Sequence, residues 1–534
     1  MIIALTFLVL LMTAFASLSL RLVRPGFSYY WLVASAGALF SWLLLLLSNP
    51  AQPVSILFAI WKPQAIFPAS PMLFLDRIAW AFSLGIATLL LSAILISVAH
   101  STDPTSPRPS WQDLTGLCLI TAASLLAICA GNLLTLLLVW TLVDLIEFIA
   151  WLVKIEDGHA SHRLTLAFAG RIISLIFLLW AMITADTNIL RASALVSTIT
   201  ASDPAITPYL IIACAIRLSV LPLSPPLYQK IHAPSAVKTA LSLIPLASSL
   251  ALLCRIAAAG VQLPWSDFFT YLAAIMAIWG SLRWLTSRDT QTGLADWTTS
   301  FGALAIAAAL HLQPDACQAF GLAMLLTGGF LLFFGETGFA QIRPNWLRLF
   351  FWIGALSLSA LPWTPTWPTV QLYASPFQPA LIFLFIAQAG LLAGTLRHTL
   401  QGGQISLGSE RWGWALYIWG LALLALAAEI VMWRTQTEHP TLAASWPSLA
   451  SLLLACGFFW LARRKNLLPD WLLHAARGLS MIIWPIRALG RLLLSARVIL
   501  KWSNDLLESQ AGLLWSFLAL VLLLTLFSQT NWGR

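Results

Sequence analysis

Charged side chains are scarce in this sequence. Asp, Glu, Lys and Arg supply 9% of the 534 residues against a hydrophobic share of 60%. A soluble chain of that length needs far more polar surface to cover its core, so a soluble enzyme is excluded. Cysteine is scarce too. None of Cys118, Cys129, Cys214, Cys254, Cys317 and Cys456 forms a C-x-x-C pair or has a His at ligand spacing. They read as small buried apolar residues, and no iron–sulfur cluster, haem, zinc site or other cofactor is expected on this chain. Met1 to Leu20 lacks a basic n-region and a small-residue cleavage site, so it is expected to be a retained first span rather than a signal peptide. The formal charge is +9, yet there is no dense basic cluster with interleaved aromatics outside the C-terminal stretch. Cytoplasmic loop charge explains the excess better than nucleic-acid binding. No loop is long enough for a soluble catalytic domain, which speaks against a membrane glycosyltransferase.

What the chain has instead is apolar runs of about 20 residues, the length that crosses a hydrocarbon core as a helix. About sixteen spans are predicted by run length. They cover 2–21, 28–48, 74–98, 112–130, 132–153, 163–184, 205–224, 235–256, 267–285, 296–312, 316–335, 345–363, 377–397, 412–433, 443–462 and 510–528. The turns at 131 and 313–315 are so tight that the spans they join must be antiparallel neighbours. The 27 Trp residues suit the interfacial positions that so many spans create. The predicted fold is an all-α polytopic membrane protein. N-terminal helices occupy 1–111, a first repeat 112–256, a second repeat 267–397, further helices 412–462 and a last span 510–528. Between the last two, 466–508 carries Arg477, Arg487, Arg491, Arg497 and Lys501 among Leu, Ile and Trp at helical spacing. That pattern predicts an amphipathic helix lying along the membrane interface.

Loop charge sets the orientation. Arg21, Arg24, Arg108, Lys154, Arg163, Lys230, Arg283, Arg288, Arg343, Arg348, Arg397, Arg411, Arg463, Arg464 and Lys465 fall in one set of alternate loops. The other set holds little beyond Lys62, Arg191 and Arg434. The first set is expected in the cytoplasm of a prokaryotic cell, with both termini on the outer side.

Prolines cluster in two spans, Pro222, Pro225 and Pro226 in the seventh and Pro362, Pro365 and Pro368 in the twelfth. Each cluster breaks helix hydrogen bonding, and freed backbone groups at membrane depth survive only inside protein or beside water. Paired interruptions point to inverted five-helix repeats, spans four to eight and nine to thirteen, with a transport site between them. Two ordinary helix ends with proline-rich loops are the plainer alternative. Ionisable residues inside spans are costly and point to function. They are Asp144 and Glu147 in span five, Arg171 in span six, Arg217 in span seven and Lys238 in span eight, with Glu429 apart in span fourteen. Asp144 and Glu147 are three apart and share a helix face. Paired with a buried cation, such a carboxylate passes charge or merely holds helices together. His311 and His232 read as boundary residues rather than proton relays.

These residues resemble a known family, the antiporter-like membrane subunits of respiratory complex I and the large subunits of Mrp-type sodium/proton antiporters. The clearest match is RLSVLPLSPPLYQKIHAPSAVKTALSLIPL over 217–246, with Leu221-Pro222-Leu223 and Pro234-Ser235-Ala236-Val237 in register. GNLLTLLLVWTLVDL over 131–145, ALSLSALP over 355–362 and Asp76 in FLDRIAW are similar to further family patterns. The interfacial helix followed by one span is similar to the lateral helix of the distal complex I subunit, though shorter. The resemblance implies two inverted repeats, no redox centre on this chain, other membrane subunits as partners, and proton or sodium translocation driven by a partner's redox or other reaction.

Departures from the family pattern fall on its charged residues. Thr141 stands where the family has a Glu after Trp, Arg217 where it has a Lys, Ser242 where it has a His, and Thr369-Val370 where it has a Lys. Arg in practice keeps its proton, and Thr and Ser hold no charge. Asp144, one turn beyond Thr141, and Lys238, four residues before Ser242, are candidates to replace the missing groups. A displaced relay, a lost relay in a non-conducting scaffold subunit, and the membrane subunit of a bicarbonate-accumulating complex all remain open on the sequence.

Overall fold

The structure, a computed structural model, describes residues 2–463 apart from 25–26, 28, 58–69, 104–105, 156–157, 185–204, 222–232, 261–262, 264, 338–346, 375, 377, 401–410 and 436–444. The chain divides into two units, Met1–Leu473 and His474–Arg534. The expected surface helix 466–508 and last span 510–528 lie outside the described residues, as do Pro222, Pro225 and Pro226.

Every expected span from 2–21 to 443–462 has a helix in its place. The first six helices are α1 (Ile2–Val23), α2 (Tyr30–Leu47), α3 (Arg77–His100), α4 (Trp111–Ile128), α5 (Leu133–Leu152) and α6 (Gly158–Thr184). The next are α7 (Thr207–Arg217), α8 (Ser235–Leu243), α9 (Ala247–Ala259), α10 (Ser266–Thr286) and α11 (Thr290–Leu310). They are followed by α12 (Pro314–Leu322), α13 (Gly328–Thr337), α14 (Leu347–Ser357), α15 (Gln371–Ala374), α16 (Pro379–Leu400), α17 (Arg411–Thr435) and α18 (Trp446–Arg463). A 3-10 turn at Ile244–Leu246, placed by Pro245, bends α8 into α9, and a π-helical turn at Ala323–Thr327 joins α12 to α13. Among the described residues, 12 helical stretches are long and apolar enough to cross a membrane, counting α8–α9 and α12–α13 as one each. Their interior is filled by Leu, Ala and Phe and by the fully buried Trp80, Trp140, Trp151, Trp284 and Trp297.

One small sheet departs from the helical pattern. β1 (Val54–Leu57) pairs antiparallel with β2 (Met72–Leu75), and the hairpin is tied to the turn between α4 and α5. Gly131 donates its N–H to the Met72 carbonyl at 2.8 Å, and Asn132 Nδ2 donates to the Ser70 carbonyl at 2.7 Å. A Cβ at Gly131 would lie 3.1 Å from the Met72 carbonyl oxygen, so glycine permits that approach.

The two proline-marked interruptions share more than proline. Leu218-Ser219-Val220-Leu221-Pro222 and Leu358-Ser359-Ala360-Leu361-Pro362 are nearly the same pentapeptide. α7 ends one residue before the first and α14 one residue before the second. Left-handed backbone follows each end, at Ser219 (φ 59) and Ala360 (φ 56). The freed carbonyls then find side-chain donors, as burial at membrane depth demands. Thr299 Oγ1 donates to the Ser219 carbonyl at 3.1 Å and Thr366 Oγ1 to the Ser357 carbonyl at 2.6 Å, while Ser448 Oγ donates to the Ala360 carbonyl.

Candidate functional site

α5 turns Trp140, Val143, Asp144, Glu147 and Trp151 inward, the spacing of one helix face. Arg217, the last helical residue of α7, meets that face just before its helix breaks. Its Nη1 donates to Asp144 Oδ2 at 2.8 Å and its Nη2 to Oδ1 at 2.7 Å, a bidentate pair with side-chain exposures of 0% and 2%. The Arg217 guanidinium carbon lies 4.3 Å from the centre of the Trp140 ring, whose Nε1 donates to Ser248 Oγ at 2.9 Å. Ser248 in turn donates to the Pro245 carbonyl at 3.2 Å, so the pair is tied to the bend between α8 and α9. Glu147 has its own cation: Arg171 Nη2 lies 3.3 Å from Glu147 Oε2, and Arg171 Nη1 donates to the Arg217 carbonyl at 3.3 Å. Two carboxylates on one face thus meet two arginines from different helices. Thr141 is exposed and donates to the Leu137 carbonyl of its own helix. The carboxylate that faces α7 is Asp144, one turn further on.

Lys238 is not part of this network. It sits half-buried in the first turns of α8, within electrostatic reach of Lys154, Glu336 and Asp289. Lys154 pairs with Asp113, which also completes a capping box with Ser110 at the start of α4. Burial first, and the Lys238 ammonium second, push Lys154 down from 10.5 to about 8. Ser242 donates to the Lys238 carbonyl at 2.7 Å, and Thr369, 1% exposed, donates to the Thr366 carbonyl at 2.8 Å. Glu429 is half-buried in α17, away from these groups. His311 lies at the turn between α11 and α12, where burial lowers its pKa.

Sequence reasoning missed further charged groups besides Asp113. Arg255 in α9 donates to both carboxylate oxygens of Asp76 at 3.1 Å and to the Ala130 carbonyl at 3.2 Å. Arg283 of α10 lies 3.2 Å from Asp296 of α11. Glu336 is buried near the end of α13. Arg255 was legible as a lone cation in an apolar run, whereas Asp296 and Glu336 sit at predicted span edges, where a charge carries little signal. The thiols follow expectation except Cys456, which is exposed on the face of α18 that also shows Leu449, Leu453 and Trp460 outward.

Beside the second broken helix two small pockets have mainly apolar linings with a few polar side chains. One is lined by Thr366, Thr369 and Gln388 among apolar residues. A larger one, a cavity of about 40 Å³, is lined in part by Asp315, Gln318, Thr327 and Gln371. Both touch Ala323 of the π-helical turn, a distortion that often marks functional positions.

Solved structures share the overall fold. A chain of the Mrp complex from Dietzia sp. DQ12-45-1b superposes with a TM-score of 0.66 at 17% identity over 99% of this chain. The chain shares that fold. It spans 63% of the length of the Mrp chain. A chain of the membrane-bound sulfane sulfur reductase, an archaeal respiratory membrane complex, matches with a TM-score of 0.64 at 14% identity, covering 97% of this chain and 99% of its own. A chain of respiratory complex I from Thermus thermophilus matches with a TM-score of 0.57 at 16% identity, over 84% and 98%. No family profile and no curated protein sequence matches the chain. The all-α membrane fold is therefore shared with structures of the kind that the residue patterns at 217–246 and 355–362 resemble.

Proposed function

We propose that this chain is an antiporter-like membrane subunit of an energy-converting assembly, which carries protons or sodium ions in step with a partner subunit's reaction. The observation that carries the reading is the Asp144–Arg217 pair, bidentate and buried at the end of a broken helix in a chain of this fold. The charged line is displaced by one turn rather than absent. A buried guanidinium keeps its proton, so this pair acts as a fixed dipole whose making and breaking shifts charge; it is not itself a proton carrier. The partners are other membrane subunits and the surrounding lipid, and the redox or other driving chemistry belongs to those partners.

Reconstitution into vesicles with an entrapped pH-sensitive dye tests the reading. Asp144→Asn with Arg217→Ala should abolish proton uptake that the assembled wild type supports; unchanged flux in that double variant would sink the displaced relay. A non-conducting scaffold is the second reading, and the uncharged Thr369 beside the second broken helix favours it. Wild-type vesicles that take up neither protons nor sodium would select it.

A further inference from the structure

Glu336 is a buried carboxylate that the pairs around Arg217 leave unexplained. It is 4% exposed, and it accepts from Ser235 Oγ at 2.7 Å, from Gln291 Nε2 at 2.7 Å and from Thr239 Oγ1 at 3.5 Å. Gln291 Nε2 also reaches Thr239 Oγ1 at 3.0 Å and the Ser235 carbonyl at 3.3 Å. Three elements, α8, α11 and α13, therefore converge on one carboxyl group. Among the described residues no Lys, Arg or His forms an ion pair with it. The charged and titratable groups around it are Lys238 from α8, Asp289 at the start of α11 and Tyr417 from α17, with Lys154 beyond Lys238. Tyr417 Oη accepts from Thr337 Oγ1 at 2.9 Å, next to Glu336 in sequence.

Resting on the reading above, we infer that Lys238 and Glu336 form a proton-exchanging pair that links spans four to eight with spans nine to thirteen on the Lys154 side of the membrane. The step balances within the pair, with one water relaying the proton because Lys238 Nζ and the Glu336 carboxylate are not in direct ion-pair contact. A proton leaves Lys238 Nζ, turning ammonium to amine, and binds a Glu336 oxygen, turning carboxylate to carboxylic acid, with no net charge created in the interior. A proton from the aqueous side then restores Lys238. Lysine can release its proton and arginine cannot, which separates this pair from Asp144–Arg217.

The surroundings of Glu336 suit both of its protonation states. An arginine fork would hold it ionised, but the Ser235 and Thr239 hydroxyls can turn from donor to acceptor. Gln291 Oε1 is buried without a hydrogen-bond partner, a ready acceptor for the acid proton once the amide turns over.

Infrared difference spectroscopy on the full chain in lipid nanodiscs tests the inference. A protonated-carboxyl band should change with pH and vanish in Glu336→Gln. Lys238→Met should move its midpoint upward by about one pH unit, a tenfold change in proton affinity, because a neighbouring cation has been lost. Wild-type helix content by circular dichroism in Glu336→Gln and Lys238→Met guards against misreading a folding defect. A band unmoved by Lys238→Met, or no carboxyl band lost in Glu336→Gln, overturns the inference. If the band behaves as expected while wild-type vesicles conduct nothing, the translocation reading fails and the Lys238–Glu336 assignment stands.

Discussion

Asp144 and Glu147 lie on one face of α5, yet they differ in what losing their charge would do. Asp144→Asn leaves a guanidinium with no exposure facing a neutral amide, and breaking a buried pair from one side costs about 3–5 kcal/mol. Glu147→Gln should cost clearly less, because Arg171 is 18% exposed and Glu147 12%. Thermal unfolding in detergent would separate the two, and equal losses would contradict the ranking. Lys154 supplies a pH test. Its folded-state value of about 8 lies below the ordinary 10.5, so the unfolded chain binds more protons between those values. Stability should then rise with pH across that window, and the rise should vanish in Lys154→Met. A melting temperature that is level or falls from about pH 8 to about pH 10.5 would refute this. At this level the sequence was informative wherever a charge interrupted an apolar run, as at Asp144, Glu147, Arg217 and Lys238. It was silent at Glu336, one residue past the edge of an expected span.

The helices owe their positions to run length and their contacts to small residues. Gly280 on α10 faces α11 so closely that a Cβ would lie 2.8 Å from the Asp296 carbonyl oxygen and 3.0 Å from the Ser300 nitrogen. Backbone cannot step aside as a side chain can. Gly280→Ala should therefore cost about 1–3 kcal/mol and weaken the Arg283–Asp296 pair, measurable as lowered thermal stability. Thr366 holds the second broken helix from both sides, donating to the Ser357 carbonyl at 2.6 Å and accepting from the Ala360 N–H at 2.9 Å. Thr366→Val orphans both groups and should cost about 1–3 kcal/mol, with faster amide exchange at Ala360 as the local sign. The break itself was legible from Pro362 and Pro365; the hydroxyl that makes it tolerable was not, because nothing in the run 355–370 says which Thr turns back.

For the molecule as a whole, the fold is that of chains from an Mrp complex, a membrane-bound sulfane sulfur reductase and a respiratory complex I. The proposed assembly has a direct test. Gentle solubilisation from native membranes should bring down other integral membrane subunits in fixed ratio, whereas a chain that purifies alone and still moves ions would mark a stand-alone transporter. A companion carrying iron–sulfur ligands or a quinone site would identify the driving reaction. The outward faces fit a chain with neighbours or lipid: Trp412, Trp419 and Trp433 of α17 and Trp446 and Trp460 of α18 are exposed. The tryptophans thus divide between exposed faces and core, while composition alone had pointed to the interface.

Membrane residence, the order of the described spans, the second helix break and the charges of Asp144, Glu147 and Arg217 were legible in the amino-acid sequence. Each depends on a local property: the length of an apolar run, the missing N–H of proline, or the cost of a charge in hydrocarbon. Packing decided the rest. Asp144 and Arg217 are 73 residues apart, and Glu336 is 101 residues from Ser235. Which cation a carboxylate meets follows from which helix faces are brought together, and no run of residues contains that. In the proposed reading Asp144 takes the place left uncharged at Thr141, because α5 turns Thr141 outward and Asp144 toward Arg217 of α7.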